Sequence, residues 1–105
     1  MNDVQKLIQL FGHYKGCQYF LESVQLVLQD ETVLTAITKE VYIPVAKKYH
    51  TSYHCVERNI RTLCERAWEK GAKEIAQQLC GVSFGEVPTN RECIEIALIY
   101  WKQQL

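Results

Sequence analysis

The sequence predicts an all-α fold, a compact domain of six or so short helices that contains a helix-turn-helix. Apolar residues recur at steps of three and four along most of the chain, as they do on the buried face of an amphipathic helix. No stretch has the apolar–polar alternation of a half-buried strand, and there is no internal repeat. A chain of 105 residues can enclose one modest core, so we expect a single domain over residues 1–105.

Three predicted helices precede the helix-turn-helix. Residues 3–11 carry apolar side chains on one face. Residues 15–28 also carry apolar side chains on one face, and this second helix begins at residue 15 or 16. A polar break follows, in which Asp30 or Thr32 can cap a short third helix over residues 33–37.

The helix-turn-helix is predicted over about residues 43–70. Pro44 suits the first turn of a short helix that ends near Tyr49, because proline lacks only an N–H that has no helical partner there. Proline also disfavours helical geometry at the preceding residue. We therefore expect a boundary or kink at Ile43, after a connecting segment over residues 38–42.

The second helix of the motif, residues 51–70, is the longest predicted element. Thr51 or Ser52 can supply the N-cap oxygen, and Gly71 is placed to end the helix. Glycine is common in the turn of such motifs, whereas this turn contains His50. Four residues at helical spacing form a stripe that must face a core: Val56, Ile60, Leu63 and Ala67.

Two further helices are predicted at the end of the chain, over residues 72–80 and 89–105. The loop between them, residues 82–88, contains turn-forming glycine and proline. Thr89 and Glu92 have the spacing of a capping box, in which each side chain bonds to the backbone of the other residue.

The polar face of the long helix carries side chains suited to base edges. Arg58 can give two parallel donors to O6 and N7 of guanine, and Glu57 can accept from N4 of cytosine. An adjacent Glu-Arg pair near the start of a helix, after a short turn, therefore fits a helix that reads a DNA sequence. The alternative is a solvated helix with ordinary surface charges, since charged outer faces are the norm.

Charge is unevenly distributed in a chain that is neutral overall, with twelve basic and twelve acidic residues. Residues 39–66 contain six basic and three acidic side chains, so this segment is +3 and the remainder is −3. A local basic patch is the weaker form of the electrostatic footprint expected of a DNA-binding domain.

Gly16 marks a place where the backbone of the second helix comes close to another group. That group is either a neighbouring helix or a DNA phosphate. In the second case, the exposed N–H groups at the helix start and Lys15 would contact the phosphate.

The cysteines and histidines do not indicate a metal centre or an enzyme. Five cysteines, an odd number without a C-x-x-C pair or a secretory signal, fit free thiols in a reducing cytosol, mostly as small core residues. His50, His54 and Cys55 are close in sequence, but their spacing matches no usual zinc pattern. A Cys-His catalytic pair would lack an orienting third group. We therefore expect no cofactor and no catalysis. No apolar run reaches the ~20 residues that span a membrane, so we also expect no membrane partner.

Five stretches together resemble a known family: HYKG at 13–16, AITKEVYIPVAKKYHTS at 36–52, VERNIR at 56–61, Ala67-Trp68, and PTNRE at 88–92. They resemble the C-terminal effector domain of the master sporulation response regulator, the stage-zero A protein of endospore-forming bacteria. The resemblance extends over nearly the whole chain. It implies a six-helix domain that binds double-stranded DNA at a promoter box of the TGTCGAA type, activates or represses transcription, and contacts the primary sigma factor of RNA polymerase.

The resemblance also implies roles for single residues. Glu57 and Arg58 match the family's base-reading pair, in agreement with the hydrogen-bond argument above. His54 departs from the family, which has a small polar residue there, and is expected to be a further base-edge donor. The expected phosphate contacts position the domain without carrying sequence information. They are Lys47, Lys48, Ser52, Arg61 and Lys15.

Two departures from the family pattern favour an alternative function. Cys55 stands where the family usually has an arginine, and the loop at 82–87 is shorter than usual. The loss of one cationic contact lowers DNA affinity and makes its salt dependence shallower. The alternative is a protein-interaction module of the same fold that has weakened or lost DNA binding.

The family's usual architecture adds an N-terminal receiver domain, for which these 105 residues leave no room. We therefore expect the chain to hold the effector domain alone. We also expect a cytoplasmic, nucleoid-associated protein that is a monomer in solution and pairs as a dimer on tandem DNA boxes.

Overall fold

Helices account for most of the chain that the computed structural model describes, which is residues 9–104. The predicted all-α class is confirmed, and no strand occurs within these residues. Residues 9–11 are helical, while the rest of the predicted first helix and Leu105 lie outside the described range. The α-helices are α1 (Lys15–Gln29), α2 (Ile43–Lys48), α3 (Tyr53–Ala67), α4 (Lys73–Cys80) and α5 (Asn90–Gln104).

The core lies where α1, α2, α3 and α5 meet. The apolar stripe predicted for α3 faces this interior: Val56 and Ile60 are fully buried, Leu63 is buried and Ala67 is half-buried. Valines from α1 and α2 and Ile94 from α5 complete the most buried layer. Such burial stabilises the fold by about 25 cal/mol for each Å² of apolar surface removed from water, and it fixes which face of α3 points outward.

The segment before Pro44 differs from the prediction. Residues 31–36 form a 3-10 helix, and residues 38–42 form a π-helical turn that runs directly into α2. Ile43 has helical dihedrals (φ −65°, ψ −47°), so the expected departure from helical geometry is wrong. The N–H of Ile43 bonds to the carbonyl of Thr38, five residues back. We attribute the difference to this wider turn, which relieves the clash that a proline ring makes in a regular α-helix.

A residue with a positive φ lies before α3 and another lies after it. His50, in the turn between α2 and α3, has a φ of 56°, a value that glycine adopts more readily. After α3 the helix continues through a π-helical turn over residues 68–72, within which Gly71 has a φ of 122°. The predicted helix end at Gly71 is therefore correct, although the regular α-helical part ends at Ala67.

Helix α1 packs directly on α3 through Gly16. A Cβ built on Gly16 would overlap the backbone oxygen of Asn59 and lie 3.2 Å from the Cβ of Leu63. Of the two explanations considered for this glycine, the neighbouring helix is thus the one observed.

Within residues 9–104, no helix combines the length and the apolar character needed to cross a membrane.

Candidate nucleic-acid interface

The polar face of α3 starts from a well-defined N-cap. Ser52 is extended (φ −92°, ψ 155°), and its hydroxyl oxygen accepts a hydrogen bond from the N–H of Cys55 at 3.2 Å. The oxygen of Ser52 is therefore occupied by the cap, while its O–H remains a donor that can reach a phosphate. Ser52 itself is exposed.

The three predicted base-reading residues lie on the solvent side of α3. Glu57 and Arg58 are exposed, and neither forms an ion pair with any residue in the range 9–104. His54 is also exposed, and its ring lies against Tyr53 with 3.9 Å between centroids and 33° between planes. Because His54 and Arg58 are four residues apart on a helix, they and Glu57 occupy one surface near the N-terminal end of α3.

The backbone of α3 at this surface is held by the start of α5. Asn90 is buried, with 9% of its surface exposed, and its Nδ2 donates to the backbone carbonyl oxygen of Glu57 at 3.0 Å. The Asn90 side chain also hydrogen-bonds to the hydroxyl of Tyr42. Burial raises the pKa of Tyr42, and the hydrogen bond from Asn90 partly opposes that rise. Asn90 thus connects the start of α5 to the π-helical turn that contains Tyr42 and to α3 at Glu57, the residue before Arg58.

The side-chain amide of Asn59 stabilises the same turns of α3. The Nδ2 of Asn59 donates to the carbonyl oxygen of Cys55 at 2.7 Å and to its sulfur at 3.3 Å. Cys55 is half-buried in this arrangement. It packs against the core and offers no cation to the surface.

The predicted phosphate-contacting cations differ in their surroundings. Lys47 is exposed and has no carboxylate partner among residues 9–104, whereas the Nζ of Lys48 forms an ion pair with Glu22 of α1. The hydrogen bond to Glu22 raises the pKa of Lys48. Arg61 pairs with Glu65 at 3.1 Å, but its side chain is 69% exposed, so this pair adds little stability and can exchange for a phosphate.

Lys15 lies at the start of α1 and is exposed. Its neighbour Gly16 contacts the backbone of Asn59, which brings the start of α1 next to the middle of α3. All five expected phosphate-contacting residues are therefore exposed, on α1, α2, α3 or the turn before α3. Lys48 is the one whose charge is already compensated by a carboxylate from another helix.

Two residues that hold the surface were not identified from the sequence. Asn90 appears in the sequence only as the residue after a capping threonine, and nothing there indicates a bond to a residue 33 positions earlier. The ring of Tyr53 packs against the ring of His54. In the sequence, the indication of this contact is that the two aromatic residues are adjacent. No group of three or more His, Cys, Asp or Glu side chains suited to a metal ion occurs in the described part of the chain.

The chain matches a known protein family. The model described as the C-terminal domain of the sporulation initiation factor Spo0A matches residues 2–100. The matched range includes α1 to α4, the turn before α3 and most of α5.

Proposed function

The chain belongs to the family of the C-terminal domain of sporulation initiation factor Spo0A, and on that premise we propose that it reads a TGTCGAA-type promoter box with α3. Membership of the family makes the chain a DNA-binding effector domain associated with sporulation. The box and the residues that read it are the proposal. The family is one of regulators and not of enzymes.

The observation that supports the proposal is the exposure of Glu57 and Arg58 on a helix whose opposite face packs against the core. Both side chains are unpaired within residues 9–104, and the backbone carbonyl of Glu57 accepts a hydrogen bond from Asn90. A guanidinium held in this way can donate twice to one guanine, and a carboxylate can accept from the cytosine of a neighbouring pair. His54, three residues before Glu57, adds a donor on the same surface.

The cations around α3 would set affinity and not sequence preference. Lys47, Ser52, Arg61 and Lys15 are exposed and can contact phosphates, while Lys48 must first exchange Glu22 for a phosphate. We therefore assign a smaller net contribution to Lys48 than to Lys47.

The single-site experiment is the substitution Arg58→Ala. Losing a bidentate contact should weaken specific binding by about 1–3 kcal/mol and relax the preference at one guanine. Competition gel shifts with the box and with singly altered boxes measure both effects. Arg66→Ala is the matched control, since Arg66 is exposed on the last turn of the same helix, outside the proposed reading surface.

An unchanged competitor profile for Arg58→Ala would show that Arg58 does not read the sequence. Selection of bound sequences from a random DNA pool tests the box itself. A selected consensus unrelated to TGTCGAA would remove the proposed target while leaving DNA binding in place.

A second candidate is a protein-interaction module of the same fold with weakened DNA binding. Two observations favour it: Lys48 is neutralised by Glu22, and Cys55 supplies no cation where the family has an arginine. A salt titration separates the two candidates. Binding through several phosphates weakens steeply as salt rises, whereas an apolar protein contact changes little.

The proposal extends to partners and assembly. We propose that residues 1–105 act as a single effector domain, monomeric in solution and paired on tandem boxes. We also propose a contact with the sigma factor of RNA polymerase near the loop between α4 and α5. Val82 and Val87 in that loop are exposed apolar side chains, 54% and 40% accessible, of the kind that protein contacts cover.

A further inference from the structure

Two cysteines meet inside the domain on helices that are far apart in sequence. Cys64 is buried on α3, and Cys93 is half-buried on α5. The thiol of Cys64 hydrogen-bonds to the sulfur of Cys93. The sulfur of Cys93 in turn lies 3.7 Å from the carbonyl oxygen of Pro88, to which its S–H can donate. The two sulfurs therefore lie next to each other at the contact between α3 and α5.

Both sulfurs lie on the wall of one cavity. The cavity has a volume of about 170 Å³ and is lined by residues of α3, α4, α5 and the start of α1. Among the residues that the structure describes, it is partly open to solvent. Its lining is almost entirely apolar and includes Leu63, Trp68, Ile75 and Trp101. A water molecule occupies about 30 Å³ of liquid, so a small neutral molecule can enter, whereas desolvation disfavours a charged one.

The surroundings of the two thiols differ in a way that assigns their roles. The hydrogen bond from Cys64 lowers the pKa of Cys93, against the opposing effect of burial. Donating that bond and being buried both raise the pKa of Cys64. Cys93 is half-buried, whereas Cys64 is buried with 8% of its surface exposed. Because an oxidant in the cavity reaches the more exposed thiol first, Cys93 is the thiol that attacks and Cys64 is the one that resolves.

We propose that Cys64 and Cys93 are an oxidation site for a small neutral peroxide, which converts them to an intrachain disulfide between α3 and α5. The thiolate of Cys93 attacks one oxygen of hydrogen peroxide, the O–O bond breaks, and hydroxide leaves, which gives a sulfenic acid. The sulfur of Cys64 then attacks the sulfenic sulfur, the S–O bond breaks, and water leaves with the thiol proton. The hydroxide takes up the proton that Cys93 lost on forming its thiolate, so two thiols are oxidised and one peroxide is reduced to two waters.

The disulfide brings the two sulfurs from hydrogen-bond contact to a bond of about 2.05 Å. Helices α3 and α5 must move relative to each other, and Asn90 of α5 holds the carbonyl of Glu57. Oxidation therefore shifts the support beneath the reading surface. This consequence, unlike the disulfide itself, rests on the proposed function.

The test uses the whole reduced chain, treated with hydrogen peroxide, blocked with an alkylating agent and mapped by mass spectrometry of its peptides. We expect a cross-linked Cys64–Cys93 peptide, an intact mass lower by two hydrogens before digestion, and alkylated Cys55 and Cys80. In Cys64→Ala, the reaction should stop at a sulfenic acid on Cys93 that dimedone labels. Recovery of both Cys64 and Cys93 alkylated after excess peroxide overturns the proposal.

Cys17 provides the internal control, because it is buried on the same cavity wall and burial raises its pKa. Cys17→Ala should still form the Cys64–Cys93 disulfide, and a link through Cys17 in the wild-type chain would overturn the pairing. On DNA, the oxidised chain should lose affinity for the box, and a reductant should restore it. Unchanged affinity in a fully oxidised sample would overturn the coupling to α3, whereas failure of the reduced chain to bind would count against the proposed function alone.

Discussion

Gly16 is the residue on which the contact between α1 and α3 depends. The backbone oxygen of Asn59 occupies the place that a Cβ would need, and a backbone atom cannot rotate away as a side chain can. The same contact places the start of α1, with Lys15, beside the middle of α3. A change of one methyl group here therefore affects both stability and the position of a cation.

The first prediction concerns the substitution Gly16→Ala. Overpacking a close helix contact should destabilise the fold by about 1–3 kcal/mol, because α1 must move away from α3. Gly85→Ala is the matched control, since nothing lies within 4 Å of a Cβ built there and its φ is not positive. Urea unfolding measures both variants, and the control should stay within about 0.5 kcal/mol of the wild type. Equal midpoints for the two variants would contradict the close-contact interpretation.

At the scale of elements, α5 acts as a support for α3 through its first residues. Thr89 and Glu92 form the predicted capping box: Oγ1 of Thr89 accepts from the N–H of Glu92 at 3.2 Å, and the N–H of Thr89 donates to Glu92 Oε1 at 3.1 Å. This cap fixes the first turn of α5, from which Asn90 reaches Glu57. Local sequence chemistry thereby orients a contact between two distant helices.

A prediction for this support is that Asn90→Ala destabilises the fold by about 1–3 kcal/mol, the range for leaving buried polar partners unsatisfied. The hydroxyl of Tyr42 and the carbonyl of Glu57 both lose a hydrogen bond. Hydrogen exchange at the N-terminal turns of α3 should rise with the loss of stability. Arg91→Ala, which removes an exposed pair with Glu95, is the control and should change stability little. Unaltered unfolding of Asn90→Ala would show that Asn90 does not support α3.

The capping box also predicts a pH dependence. Hydrogen bonds from the backbone and side chain of Thr89 lower the pKa of Glu92. Because the folded value is depressed, the contribution to stability is complete above the ordinary glutamate pKa of about 4.3 and is lost as pH falls through the lowered value. NMR titration should therefore give Glu92 a pKa below the ordinary value in the wild type and closer to it in Thr89→Ala. An identical pKa in the two proteins would mean that the cap does not hold the carboxylate.

At the scale of the whole molecule, the distribution of charge decides how strongly a neutral chain attracts DNA. The basic segment at 39–66 loses part of its effect because Glu22, on α1, neutralises Lys48. Lys47 and Arg58 keep their charges unpaired within residues 9–104. Neutrality of the chain as a whole leaves the salt dependence to these few cations.

The corresponding prediction is that Glu22→Gln tightens non-specific DNA binding. Freed from its partner, Lys48 can neutralise one more phosphate, which steepens the slope of log K against log salt by up to about 0.9. Glu31→Gln changes net charge equally and breaks a pair with Lys102 at 2.7 Å, so it is the matched control. Fluorescence anisotropy at several salt concentrations measures the slopes. Equal slopes for the two variants would assign the effect to net charge and not to Lys48.

The sequence by itself determined the features that depend on neighbours within about four residues: the helical periods, the capping box at Thr89 and the helix end at Gly71. It placed the cap of α3 at Thr51 or Ser52, and the structure shows that it is Ser52. It also determined that the apolar stripe of α3 would be buried, which leaves Glu57 and Arg58 exposed on the opposite side. The interpretation of that pair as base readers stays a prediction. Spacing along one helix is sufficient for these inferences because the period of the helix converts sequence distance into direction.

Only the tertiary structure decided which distant groups meet. The pair between Lys48 and Glu22 joins residues 26 apart, and the bond from Asn90 to Glu57 joins residues 33 apart. The π-helical turn before Pro44 and the meeting of Cys64 with Cys93 likewise follow from how the helices pack. Periodicity predicts which face of a helix is buried. Which other helix covers that face depends on the angles and lengths of connections such as the π-helical turn before Pro44. Those angles are fixed only when the whole core is packed.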